Sequence, residues 1–160
     1  IDVNNALDGE GPFAPERAGS LPAGELVKFV FSTGIKLEEL MKKMVGGGGL
    51  VAHLGTNDLR EVEEMIAGGD EKARLVFEAM AYQIAREICG RAAVLSGEVD
   101  AVVLTGGLAF SEAFVEAVSR RVAFIAPILI FPGEDEMRAL AEGAFRVMSG
   151  QEVAREYERV

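Results

Sequence analysis

The feature that most constrains the fold is a strand–turn–helix–strand pattern in the second half of the chain. Val99–Leu104 is a β-rich run, typical of a strand buried on both faces, and the glycine pair Gly106-Gly107 follows it. An amphipathic helix is predicted from Glu112 to Arg121, and a second strand from Val122 to Ile130. A helix between two strands allows them to run parallel, so the pattern predicts an α/β fold with a βαβ core.

Helices are predicted before this unit. Apolar spacing indicates one helix around Leu26 and a second beginning at Leu37. Asp58 opens a short helix, with Glu61 at the spacing of a capping box. The longest helix runs from Asp70 to about Leu95. Its core stripe is Phe77, Met80, Ile84, Ile88, Ala92 and Leu95.

Other segments are less regular. Residues 1–22 are rich in Asp, Asn, Gly and Pro and predict a long loop, which in an ordered protein is usually functional. Residues 46–49 are four glycines, which favour a flexible linker over a place where another chain segment or a ligand passes closely. Leu50–Leu54 is predicted to be a strand or a buried segment. A last helix from Asp135 to Met148 should turn Met137, Leu140, Ala141, Ala144 and Val147 inward, and a charged tail covers 151–160.

Composition excludes several function classes. The net charge of −10 and the lack of a basic patch argue against nucleic-acid binding. No apolar run reaches the ~20 residues of a membrane helix. Cys89 is the only cysteine, so an intrachain disulfide is impossible, which fits a cytoplasmic protein. His53, the only histidine, is expected to be a hydrogen-bonded core residue without a catalytic role.

The glycine turn is the first candidate for chemistry. Glycines at the carboxyl end of a parallel strand let a ligand approach the backbone, and the next helix offers free N–H groups to an anion. An ordinary tight turn that needs glycine for positive φ explains the same residues equally well. No Walker A pattern is present.

Three further candidates are open from the residues alone. The acidic run Glu134-Asp135-Glu136 either holds Mg²⁺ or caps the last helix. Arg17 suits a transferring phosphoryl group, or is a solvated surface residue. The segment from Asp58 to Arg60 either meets a ribose or base, or only caps its helix.

Four segments together resemble butyrate kinase. They read DVNNALDGEGPFAPERAGSLP, LGTNDLREVE, VLTGGLAFSE and FPGEDEMRALAEGA, in this order. The TGGLA portion alone is typical of the wider superfamily of acetate and sugar kinases, actin and heat-shock ATPases. The resemblance implies a ribonuclease-H-like, actin-like second domain, truncated at its N-terminal strands, with flanking helices around the βαβ core. It also implies that the first domain of the enzyme lies outside these 160 residues.

The resemblance also divides the chain and suggests roles. It implies a C-terminal nucleotide-binding portion over 1–160, with an active-site loop at 1–22, a helical part at 23–98 and an adenosine-binding part at 99–150. Arg17 aligns with an arginine that stabilises the transferring phosphoryl group. The implied nucleotide contacts are Asp58, Leu59, Arg60, Gly106, Gly107, Leu108 and Ser111. Glu136 aligns best with the acid that helps to place magnesium, and Glu134 is its competitor.

The implied function is the ATP-dependent phosphorylation of butyrate or a branched relative, with Mg²⁺, by the full-length enzyme. The 160-residue segment alone is expected to be inactive. Acetate or propionate kinase is one alternative, and a non-catalytic nucleotide-binding or interaction fragment is another. Expected partners are the fatty acid, the first domain of the same enzyme and further copies in a homo-oligomer, with neither nucleic acid nor membrane.

Overall fold

The computed structural model describes residues 2–156 and is an α/β arrangement with helices around a small sheet. Seven α-helices and two strands are present over this range. The helices are α1 (Ala23–Thr33), α2 (Leu37–Met44), α3 (Gly49–Leu54), α4 (Leu59–Ala67), α5 (Glu71–Val94), α6 (Glu112–Val122) and α7 (Glu136–Met148). The strands are β1 (Val102–Gly106) and β2 (Ile128–Pro132), and 3-10 turns occur at Ala6–Asp8 and Gly107–Phe110.

The two strands form the predicted parallel pair, joined by the crossover helix α6. Val102 lies opposite Ile128, and the register continues to Gly106 opposite Pro132. Gly106 and Gly133 exchange two backbone hydrogen bonds of 3.2 Å, which close the carboxyl end of the pair. This end therefore has a fixed geometry directly beside the glycine turn.

The core forms around α5, which packs against α3, α4 and α6. Met80 on α5 is fully buried, together with Val62 of α4 and Val118 of α6. Phe77 and Phe114 meet edge to face with ring centroids 5.2 Å apart, a favoured aromatic geometry. The predicted α5 stripe is confirmed at Phe77 and Met80, while Leu95 at its end is 40% exposed.

Several strand and core predictions are wrong. The strand predicted for Leu50–Leu54 is wrong, because the segment lies in helix α3, which ends at the left-handed Gly55; the alternative, a buried segment, holds for Leu50, which is fully buried. Val122 ends α6 rather than starting a strand, and β2 begins only at Ile128, after Pro127. β1 is not buried on both faces, since Val103 is 54% exposed. His53 is exposed and packs in a T-shaped arrangement with Phe13, so it is not a core residue.

Helix α7 lies largely outside the core. Its predicted inward residues Met137 and Leu140 are 80% and 70% exposed, and no residue of α7 is buried. The helix is amphipathic, which is why the sequence predicted a packed face, but residues 2–156 supply nothing to cover that face. In the tail, residues 151–156 contain no helix, and the rest of it lies outside the described residues. None of the helices in the described range is long and apolar enough to cross a membrane.

The four-glycine run is a packing site rather than a linker. A Cβ on Gly49 would lie 1.6 Å from the carbonyl oxygen of Ala14, and one on Gly48 would lie 2.4 Å from the backbone nitrogen of Ala18. The amides of Gly46 and Gly48 both donate to the carbonyl oxygen of Glu16. The run therefore receives the backbone of the first loop at a distance that only glycine permits.

We predict that Gly49→Ala destabilises the protein by about 2–5 kcal/mol, since the methyl group clashes with backbone and φ is positive. Gly46→Ala is the matched control, because φ is also positive there but its Cβ meets no atom within 4 Å. Urea unfolding of both variants measures the difference. Equal losses of unfolding free energy would contradict the close approach.

Helices α5 and α6 are also joined by an ion-pair cluster. Glu78 accepts hydrogen bonds from Arg121 at 2.6 Å and from Arg120 at 2.7 Å. These bonds, that of Arg121 first, hold the pKa of Glu78 below its usual value, although burial opposes them. A depressed pKa in the folded state stabilises the fold above the unfolded pKa, and this contribution disappears as the pH falls through the folded value.

We predict that Glu78→Gln lowers the unfolding free energy by about 0.5–1 kcal/mol at neutral pH, since the cluster is partly exposed. The difference from wild type should shrink as the pH falls below the ordinary Glu78 value of 4.5. Glu71→Gln is the control, because its pair with Arg74 is more exposed. Urea unfolding across pH tests this, and a difference that persists unchanged in acid would contradict it.

Candidate functional site

Four segments that are distant in sequence line one cleft of about 830 Å³. They are the first loop, the start of α4, the turn between β1 and α6, and the connection between β2 and α7, which contributes Glu134. Nine of the ten residues singled out from the sequence line it: Arg17, Asp58, Leu59, Arg60, Gly106, Gly107, Leu108, Ser111 and Glu134. Their assembly in one place is a finding, while the role of each residue stays a prediction.

The first loop holds Arg17 through backbone contacts. The carbonyl of Arg17 accepts from the amide of Ala14, and Arg17 forms an antiparallel bridge with Val45. Phe13 is buried, and its amide donates to Gln83 of α5 at 3.1 Å. The loop is thus anchored on both sides of Arg17, so the side chain extends from a fixed backbone.

Among residues 2–156, Arg17 is the one cationic side chain of the cleft that has no partner. Its side chain is half-buried and makes neither an ion pair nor a hydrogen bond to any residue within 2–156. Arg60, the other arginine of the cleft, is instead bound by Asp58. A guanidinium without a partner in its own chain is available to an anionic ligand.

The start of α4 brings Asp58, Leu59 and Arg60 to the cleft. Asp58 caps the helix by accepting from the amide of Arg60 at 2.9 Å, and it also accepts from the guanidinium of Arg60. The side-chain bond from Arg60 is the main cause that lowers the pKa of Asp58. The predicted capping box is only half formed, since the amide of Asp58 donates to Thr56. Leu59 is buried and anchors the helix end in the core.

The two glycines of the turn after β1 differ in their backbone conformation. Gly106 has φ +84°, which a residue with a side chain rarely adopts. Gly107 has no positive φ, and a Cβ on it would meet no atom of the described residues within 4 Å. The packing of this chain therefore does not require glycine at 107, which leaves room for a ligand at this wall of the cleft.

The hydroxyl of Ser111 makes hydrogen bonds to two other residues of the protein. Its Oγ accepts from the amide of Phe114 at 2.9 Å and so caps α6. Its hydroxyl lies 2.5 Å from Oε1 of Glu63, a carboxylate of α4 that also lines the cleft. Because a carboxylate has no proton to give, Ser111 donates to Glu63. Sequence reasoning missed Glu63, since nothing at the sequence level relates positions 63 and 111.

The two magnesium candidates are separated by the fold. Glu134 lines the cleft, whereas Glu136, at the first position of α7, does not. Residues 2–156 contain no group of three acidic, histidine or cysteine side chains that could hold a metal ion alone. One carboxylate together with ligand phosphates is nevertheless an ordinary way to bind Mg²⁺. Glu134 is a carboxylate of the cleft that fits a site of this kind, in which the protein and the ligand phosphates hold the ion together.

A second missed contact joins the first loop to α4. Asn57 donates its side-chain amide to Oε1 of Glu16 at 3.0 Å. Glu16 precedes Arg17, and Asn57 precedes Asp58, so the bond connects the two segments beside their candidate residues. Composition could not reveal it, because both residues look like ordinary surface positions.

A family model described as the acetokinase family matches residues 10–130 of the chain. This range contains Arg17 and its surrounding loop, helix α4, strand β1, helix α6 and the first three residues of β2. It ends before the acidic run at 134–136.

Solved structures of three kinases have a similar fold. The acetate kinase of Porphyromonas gingivalis matches with a TM-score of 0.73 at 21% identity, over 85% of this chain and 41% of that one. A propionate kinase from Francisella tularensis subsp. tularensis SCHU S4 matches at 0.71 and 19% identity, over 80% and 39%. The acetate kinase of Entamoeba histolytica matches at 0.72 and 16% identity, over 86% and 43%.

The chain thus spans about two fifths of the length of these structures. At such identities the likeness concerns the fold. It confirms the predicted fold class, part of an actin-like α/β domain with a parallel βαβ core and flanking helices.

Proposed function

Because the chain belongs to the acetokinase family, we propose that the full-length protein transfers the terminal phosphoryl group of ATP to a short-chain carboxylate. The products are an acyl phosphate and ADP. The observation that carries the proposal is the cleft in which unpaired Arg17 faces the same space as the glycine turn and the start of α4. A phosphoryl-transfer enzyme needs this combination of a nucleoside site and a free cation.

The reaction requires placement and charge compensation more than proton transfer. An oxygen of the substrate carboxylate attacks the terminal phosphorus, and the bond from that phosphorus to the bridging oxygen of ADP breaks. A carboxylic acid is already ionised at neutral pH, so no general base is needed. Arg17 compensates the negative charge on the equatorial oxygens as the phosphoryl group moves.

The nucleoside is held by the other two walls. Gly106, Gly107 and Leu108 form the surface on which adenosine lies, where the missing side chain of Gly107 allows close approach. Asp58, Leu59 and Arg60 flank base or ribose, and Ser111 closes this end. The Asp58–Arg60 pair keeps both side chains in a defined position before the ligand arrives.

Magnesium fits this cleft as a partner of ATP. Glu134 would hold it, and Glu136 remains the alternative from the sequence alignment. When bound, the ion supplies positive charge to the phosphate oxygens.

The acyl chain is the finer part of the proposal. The first segment of the sequence favours butyrate or a branched relative. Acetate and propionate are supported equally, since similar folds occur in proteins described as acetate kinase and propionate kinase. We propose butyrate because the whole first loop, not only the TGGLA turn, resembles butyrate kinase.

We predict that the full-length protein forms acyl phosphate from ATP with butyrate or isobutyrate faster than with acetate or propionate. Hydroxamate trapping of the product measures all four rates.

We predict that Arg17→Ala lowers kcat by about 100-fold or more, because the variant loses a cation that stabilises the transition state. Arg74→Ala is the control, since Arg74 is exposed on α5 outside the cleft.

Each outcome has a distinct meaning. No acyl phosphate with any of the four acids would reject the kinase proposal in favour of a non-catalytic nucleotide-binding protein. Activity with acetate alone would reject only the acyl-chain assignment. Equal rates for Arg17→Ala and Arg74→Ala would remove Arg17 from the mechanism.

A further inference from the structure

Glu63 is the carboxylate of the cleft that the proposed mechanism does not use. It lies on α4, and its neighbours Glu61 and Glu64 are exposed and do not line the cleft. Its oxygen Oε1 is occupied by the hydroxyl of Ser111. Its other oxygen, Oε2, has no hydrogen-bond partner among residues 2–156.

The Ser111 contact fixes the direction of this side chain. Ser111 is itself immobilised as the cap of α6, so Glu63 is tied to a rigid helix end. Leu59 and Val62, on the same helix, are buried and hold α4 in place. The free oxygen of Glu63 is therefore presented from a supported side chain, which is what a recognition group needs.

The chemistry of a carboxylate restricts what can meet it. An ionised carboxylate only accepts hydrogen bonds, and it repels phosphate. The part of a nucleotide at this wall is therefore neutral and carries a donor. The phosphates belong to the wall of Arg17, where the unpaired cation lies.

We propose that Glu63 is a specificity-determining residue of the cleft, whose Oε2 accepts a hydrogen bond from a donor of the nucleoside. Two groups of adenosine have this chemistry, a ribose hydroxyl and the exocyclic amine of the base. Ser111 is then a positioning residue that acts through Glu63, since its only proton is already donated. This inference rests on the proposed function, because it requires that the cleft binds a nucleotide.

The substitution Glu63→Gln tests the proposal with little change in shape. Its carbonyl oxygen can still accept from Ser111, while its amide presents a donor in place of Oε2. We expect the Kd for ATP to rise about 10- to 100-fold, the range for losing a hydrogen bond to a charged group. Glu64→Gln is the matched control, with the same chemical change at the next residue, outside the cleft.

Calorimetry on the full-length protein compares ATP with three analogues. They are 2′-deoxy-ATP, 3′-deoxy-ATP and purine riboside triphosphate, which lacks the exocyclic amine. Wild type should prefer ATP over the analogue that lacks the recognised donor, and Glu63→Gln should abolish that one preference. Loss of a deoxy preference identifies the ribose, and loss of the purine preference identifies the amine.

Two results overturn the inference. If wild type binds ATP and Glu63→Gln keeps every preference ratio, Glu63 is structural only, even where all affinities fall together. If wild type binds all four nucleotides equally, no donor is read at this position. Failure of wild type to bind ATP at all would instead overturn the proposed function and the inference with it.

Discussion

The approach of the glycine run to the first loop is the contact on which the cleft depends. Gly49 leaves no room for a side chain against Ala14, and the amides of Gly46 and Gly48 converge on the carbonyl of Glu16. These contacts fix the backbone on the N-terminal side of Arg17. Without them the loop would be a long chain segment with the conformational freedom of its glycines and no defined place for the guanidinium.

The cleft is lined both by an arginine without a partner among residues 2–156 and by acidic side chains that are already hydrogen-bonded. Arg17 has no partner among the described residues, while Arg60 is bound by Asp58 and Ser111 donates to Glu63. An anionic group is therefore favoured beside Arg17, and a neutral donor beside Glu63. Under the proposed function, this division places the phosphates of a nucleotide toward the first loop.

Local sequence patterns predicted the parts of the fold that local rules determine. The α6 crossover and the parallel pair followed from apolar periodicity and glycine placement, and the fold class was confirmed. The errors came from interactions distant in sequence. Gly46–Gly49 looked like a linker because Ala14, which it packs against, is more than thirty positions away. The apolar stripe of α7 predicted burial that residues 2–156 do not provide.

In the candidate site, too, contacts between residues that are distant in sequence could not be predicted. The resemblance identified nine residues of the cleft, but Glu63 and the Glu16–Asn57 hydrogen bond become visible only when the fold brings separate segments together.

A nucleotide site in this cleft is tested most directly by photolabelling of the full-length protein with 8-azido-ATP, followed by peptide mapping. We expect ATP-protected label within residues 56–63 or 105–111. Label that ATP does not displace, or that ATP displaces only from other segments, would contradict a nucleotide site in this cleft.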